Sequence, residues 1–173
     1  MLVFQILTGL RCCEVVAAKW SGLKDDVITI EAAYMKGKRY EKISHDVYLC
    51  NYAKEVIDRQ PKKSEFIFFI QSNPSRHMSS ETITKWFRTN GFAGELVGHG
   101  TRKLFSTWAN CQKMEDGKTR RYEKDVIELC IAHKKSNVQT IYDTNDYAED
   151  RMRIMVGWGD FVKSSYNKGV TLR

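Results

Sequence analysis

The sequence predicts a mainly α-helical domain carrying one small antiparallel β-hairpin, and three observations predict it. Apolar residues recur at helical spacing in several separate windows, one stretch (Val27 to Ala32, VITIEA) is dense in β-branched residues, and Gly or Pro marks the breaks between them. At 173 residues with 42% apolar content, the chain is long enough to bury one substantial core and suits a single domain.

The apolar opening, Met1 to Leu7, runs into Thr8-Gly9, where it meets a second helical window from Leu10 to Trp20. It carries no Asp or Ser start signal, so the chain reads as cut from something longer. VITIEA and a second short strand from Tyr40 to Ser44 flank MKGKR, a turn containing Gly37, which gives a hairpin with lysines at its tip. Asp46 is placed to cap a helix over about Val47 to Arg59, ended by Gln60-Pro61, and Phe66 to Ile70 is a short apolar strand or buried link. Ser79 or Ser80 caps the helix in SETITKWFRTNG, with Ile83, Trp86 and Phe87 on one face and Gly91 stopping it. Gly100 to Cys111 is a further helix, with Leu104, Phe105 and Trp108 spaced for burial. Gln112 to Asp125 is almost wholly polar and reads as an exposed connection, either a solvated charge run or a strip touching phosphate. Helices resume at Val126 to Ala132, Asn137 to about Asp143, and Tyr147 to about Lys163.

Twenty-eight Lys and Arg against 21 Asp and Glu leave a formal charge of +7, which favours an anionic partner without naming it. The five cysteines include no CxxC pair and are odd in number, unlike a disulfide framework or zinc site, so a reducing cytoplasm is expected. No stretch reaches the length of a membrane span, and no signal peptide is evident.

Three local patterns carry chemistry. TGLRCCE places Arg11 at a helix start behind a Gly, where its planar fork can reach a phosphate beside free backbone amides. HGTR puts His99 and Arg102 three apart on a helix start, able to address one group together. HKKSNVQTIY separates His133 and Tyr142 by nine residues, which on one unbroken helix would point them apart; a break at Ser136 or Asn137 lets Tyr142 swing back. Each pattern alone also fits a bland surface or core role. Cys130 and His133 have the spacing of half a metal site, but no second pair completes it.

Taken together, the patterns resemble the tyrosine recombinase family, also called phage integrases, over nearly the whole chain. TGLRCCEVVAAKW, with Glu14 and Trp20, resembles the family's first arginine motif, and YMKGKR the hairpin that carries its lysine. GHGTRKLFSTWAN resembles its His-x-x-Arg box, and IELCIAHKKSNVQTIY its closing segment. The tail YAEDRMRIMVGWGDFV is similar to the prophage-integrase branch. The sequence departs from the pattern at Thr101, at Ala132, where many relatives have Gly, and after the hairpin, where EKISHDV lacks Val-Pro.

The resemblance implies the tyrosine recombinase catalytic-domain fold over residues 1–173, without the preceding core-binding and arm-binding domains, in a bacterial, prophage-encoded protein. It assigns Tyr142 as nucleophile and Arg11, Lys36, His99, Arg102 and His133 as its catalytic partners. Tyrosine is a weak nucleophile near neutrality, so His99 is expected to accept its proton. Arg11, Arg102 and His133 then neutralise the non-bridging oxygens, and Lys36, with Lys38 as fallback, protonates the leaving 5′ oxygen. The product is a 3′-phosphotyrosyl link and a free 5′-hydroxyl, with no metal or nucleotide cofactor implied. The expected partners are double-stranded DNA, contacted through Lys38, Arg39, Lys103 and Lys134, and sister subunits in a tetramer on paired sites. The competing expectations are a DNA-binding module or inactive prophage remnant, a type IB topoisomerase, and Tyr147 or Tyr166 as nucleophile.

Overall fold

The structure, a computed structural model, describes residues 1–37, 42–133 and 146–171. Among them the chain is mainly helical, as the periodicity predicts, with two small antiparallel sheets where the sequence predicts a single hairpin. Helices α1 (Leu2–Thr8), α2 (Cys12–Val16), α3 (Asn51–Asp58), α4 (Thr82–Thr89), α5 (Gly100–Cys111), α6 (Lys124–Cys130) and α7 (Ala148–Thr171) surround five short strands. Strands β1 (Leu23–Lys24), β2 (Val27–Ile30) and β3 (His45–Tyr48) form one sheet, while β4 (Phe69–Ile70) and β5 (Asn73–His77) form another.

Helix α1 is the hub, with Phe4 and Leu7 fully buried. On one side Leu10, Val15, Ile28, Ile30, Val47, Leu49, Ala53, Ile57 and Phe68 form one apolar cluster. On the other, Phe105, Val126, Ile127, Ile154, Met155 and Trp158 form a second, which joins α5, α6 and α7. Trp158 stitches the two together by donating its indole N–H to the Ile6 carbonyl at 2.8 Å. The buried positions of α7, Arg151, Ile154, Met155 and Trp158, recur at helical spacing and lay its first half across the domain.

The expected hairpin is present, but its second strand is β3 rather than Tyr40 to Ser44. Thr29 faces Asp46 and Ile30 faces His45 across the β2–β3 ladder, and a hydrogen bond from Thr29 Oγ1 to Asp46 Oδ1 (2.6 Å) closes the pair. Asp46 is therefore an exposed strand residue and not a helix cap; α3 starts later, at Asn51 after Cys50. Burial of His45 and Val47 with exposure of Asp46 is the alternation of a half-buried strand, and pairing with β2 outweighs the local capping tendency of Asp. Of Tyr40 to Ser44, residues 40 and 41 lie outside the described residues and 42–44 form no strand.

Smaller corrections follow the same logic. Ile83 and Phe87 of α4 are buried as expected, but Trp86 is 46% exposed and stacks on Phe92 instead; Leu104 on α5 is likewise 52% exposed. Strand β5 pairs with β4 despite Pro74, on an exposed edge where a missing N–H costs little. The expected exposed connection from Gln112 ends at Glu123, since Lys124 and Asp125 already belong to α6, and Tyr122 within it is buried in the second cluster; Asp116 folds the rest on itself by accepting the Lys118 and Thr119 amides at 2.8 Å each. Helix α7 runs well past Lys163. The predicted helix from Asn137 to Asp143 lies outside the described residues. Among the described residues, no helix is long and apolar enough to cross a membrane.

Candidate active site

The site begins with a turn that only glycine makes cheaply. Gly9 caps α1 in the left-handed region (φ 63°), and a Cβ there would press on Ile131 Cγ2 at 3.0 Å. The turn throws Arg11 to the start of α2. The Arg11 amide is not free for a ligand, as the sequence suggested; it donates to Glu14 Oε2 at 2.8 Å, the reach-back typical of a helix start. Arg11 Nη1 donates to the other oxygen of the same carboxylate at 2.7 Å.

Glu14 is completely buried, and the second guanidinium reaches it from α5: Arg102 Nη1 lies 3.9 Å from Glu14 Oε2. Arg102 is itself buried and donates to the Gly9 carbonyl (2.8 Å) and the Ile131 carbonyl (2.6 Å). One side chain thus clamps the turn that presents Arg11 to the turn that presents His133. Burial and neighbouring Arg11 pull the Arg102 guanidinium down to about 10, with Glu14 and Glu128 opposing, so it remains cationic at neutral pH.

A buried amide brings the third segment in. Gln5, fully buried on α1, turns the two hydrogens of Nε2 toward three acceptors that share them, the Leu10 carbonyl (3.2 Å), Cys12 Sγ (3.2 Å) and the Gly98 carbonyl (3.0 Å). A Cβ at Gly98 would sit 2.5 Å from Cys12 Sγ and force that side chain to move, so glycine lets the two segments approach this closely. Thr101 Oγ1 also donates to Gly98 (2.8 Å), so the start of α5, with His99 at its cap, is fixed against the Arg11 segment. His99 itself is exposed whereas Arg102, one turn on, is buried.

The His133 end is a Schellman cap. Ala132 takes a left-handed conformation (φ 49°), its N–H bonds the Leu129 carbonyl (3.2 Å), and the His133 N–H bonds the Glu128 carbonyl (2.9 Å). The His133 ring is exposed and its Nδ1 pairs with Glu128 Oε2. Cys130 faces the interior beside Arg151, where burial pushes its thiol up to about 12, so it shares no metal-binding face with His133.

The structure therefore brings Arg11 and Arg102 together on Glu14 and ties the turn that precedes His133 to Arg102, with His99 on the adjoining helix start. A family model described as the phage integrase family matches residues 1–149. The chain belongs to the phage integrase family. It is 32% identical to the prophage integrase IntA of Escherichia coli strain K12 over 99% of its length. It is 32% identical to the prophage integrase IntZ of the same strain over 92%, and 27% identical to the integrase of enterobacteria phage P4 over 97%. The chain spans 40% of the IntA relative and 38% of the IntZ relative. No solved structure gives a significant match.

Within this integrase-family chain, Lys36 is exposed in the bend before Gly37, on the long connection between β2 and β3, which Lys42 Nζ braces through the Ala33 carbonyl (2.8 Å). Among the described residues, no hydrogen bond or ion pair joins the side chain of Lys36 or His99 to the arginines. Lys103 is exposed on α5. Tyr142, Lys38, Arg39 and Lys134 lie outside the described residues. Sequence reasoning missed Gln5 and Glu128. A polar residue inside the apolar run MLVFQIL was the available signal for Gln5; Glu128 had none, because its pairing depends on the left-handed cap.

Proposed function

We propose that this chain is the catalytic part of a site-specific recombinase that cuts and rejoins double-stranded DNA through Tyr142. The observation that carries the reading is the meeting of Arg11 and Arg102, from two elements far apart in sequence, around the buried carboxylate of Glu14. Two guanidiniums held side by side in a partly dry site cost Coulombic energy; a dianionic transition state at phosphorus supplies the charge that makes such a pair favourable.

In this mechanism the Tyr142 oxygen attacks the phosphodiester and its proton passes to His99. The bond from phosphorus to the 5′ oxygen breaks, and Lys36 protonates that oxygen. Arg11, Arg102 and His133 hold the two non-bridging oxygens throughout. The phosphotyrosyl link conserves the bond, so a different 5′-hydroxyl can reverse the step and complete recombination. Activity on paired sites by a tetramer, and tighter DNA binding with a further domain preceding this one, belong to the same proposal; Lys38, Arg39, Lys103 and Lys134 would then contact the phosphate backbone.

The experiment is adduct trapping. The full-length protein, incubated with a pool of nicked duplexes of random sequence, forms a covalent complex that survives denaturant, and Tyr142→Phe forms none. A binding-only protein gives no adduct in either case. An adduct retained by Tyr142→Phe assigns the nucleophile to another residue, such as Tyr147 or Tyr166, and relaxation of any supercoiled plasmid without site preference reassigns the activity to a topoisomerase.

A further inference from the structure

We propose that Glu128 is a positioning residue, whose carboxylate holds the His133 ring by Nδ1 and so turns Nε2 toward the scissile phosphate. The inference rests on the catalytic reading above and adds a residue to it. Three features of the fold converge on this pair. The Schellman cap returns the backbone on itself, so that the His133 N–H donates to the Glu128 carbonyl (2.9 Å) and the two side chains emerge side by side. The ring Nδ1 meets Glu128 Oε2. Arg102 fixes the same turn by donating to the Ile131 carbonyl at 2.6 Å, so the histidine stands on a rigid support tied to the arginine pair.

The chemistry explains why a carboxylate is tolerated there. Glu128 lies close enough to act electrostatically on Arg102, so an unengaged carboxylate at this position would oppose an incoming phosphate. Committed to Nδ1, it does different work. An imidazole ring rotates freely about its bond to Cβ unless one nitrogen is held, and only the charged ring donates from both nitrogens at once, from Nδ1 to Glu128 and from Nε2 to a phosphate oxygen. Holding Nδ1 therefore both orients the donor and suits the form that can give the second hydrogen bond. The Glu128 side chain is 26% exposed on the last turn of its helix, so trimming it opens no core cavity.

The test compares single-turnover cleavage of a nicked duplex, recovered from the random pool by its adduct, across the wild type and four variants. At saturating DNA, Glu128→Ala slows cleavage about tenfold, less than the roughly hundredfold expected for losing a phosphate-oxygen donor outright. The DNA concentration for half-saturation does not rise. Glu128→Gln, which keeps an acceptor oxygen, recovers to within about threefold of wild type. In a His133→Ala background, Glu128→Ala produces no further loss, because the group it positions is gone. Unchanged cleavage by Glu128→Ala, with or without tighter DNA binding, overturns the inference, as does an equal slowing in the His133→Ala background. Absence of any adduct from the wild-type protein instead removes the catalytic reading itself, and the positioning role with it.

Discussion

Replacing Glu14 with Gln keeps the shape of the site and removes the one buried negative charge that both arginines share. With an effective dielectric of about 20, a carboxylate and a guanidinium attract by about 6 kcal/mol at the 2.7 Å of Arg11 and about 4 kcal/mol at the 3.9 Å of Arg102. Desolvating a fully buried carboxylate costs several kcal/mol of that in the wild type, which leaves a net loss of about 3 kcal/mol for Gln and up to about 5 for Ala. The assay is urea unfolding at neutral pH, read as a fall in the midpoint at constant slope. A second arm adds Arg11→Met: with one of the two facing cations gone, Glu14→Gln costs at least about 1 kcal/mol less than alone. A loss below about 1 kcal/mol for Glu14→Gln, or strict additivity in the double variant, refutes the view that Glu14 is the charge around which the two arginines assemble.

Two further outcomes test the fold around the site. Ala132→Gly, at the left-handed cap position, stabilises the protein by about 1 kcal/mol in the same unfolding assay, since glycine removes the Cβ strain that alanine carries there; a destabilised variant contradicts the cap geometry. His45 is buried against the Cys130 carbonyl, and burial, then the charge of Arg151, lowers it from 6.5 to about 4. The unfolded chain therefore binds a proton that the native state refuses, and stability present above pH 6.5 is lost as pH falls toward 4, by roughly 3 kcal/mol in all. Thermal unfolding of His45→Asn shows a flatter fall across that window than the wild type; parallel curves dismiss His45 as the source.

Arg11, His99 and Arg102 were legible from sequence as candidates because local patterns carry their chemistry, whereas Gln5 and Glu128 were not. Arg11 behind Thr8-Gly9, and His99 with Arg102 behind Gly98, sit where a glycine and a helix start must occur, and both signals are written in a few adjacent letters. The helical windows were legible for the same reason. Asp46 shows the limit: alone it reads as a cap, and only the ladder to Thr29 and Ile30, sixteen or so residues away in sequence, makes it a strand residue. Trp86 and Leu104 share the same fate, since spacing says which residues lie on one face of a helix but not which neighbour arrives to cover them.

What the sequence determined by itself is which side chains are offered and on what kind of element: two arginines at helix starts, a histidine after a helix end, a lysine on a connection between strands. Their meeting was decided only in three dimensions. Gln5 bridges Leu10 to Gly98, Arg102 bridges Gly9 to Ile131, and Glu14 receives both guanidiniums, each joining segments that no local rule connects. The physical reason is that leaving a buried polar or charged group without a partner is costly, and the partners of these groups are supplied by chain topology, not by the letters on either side.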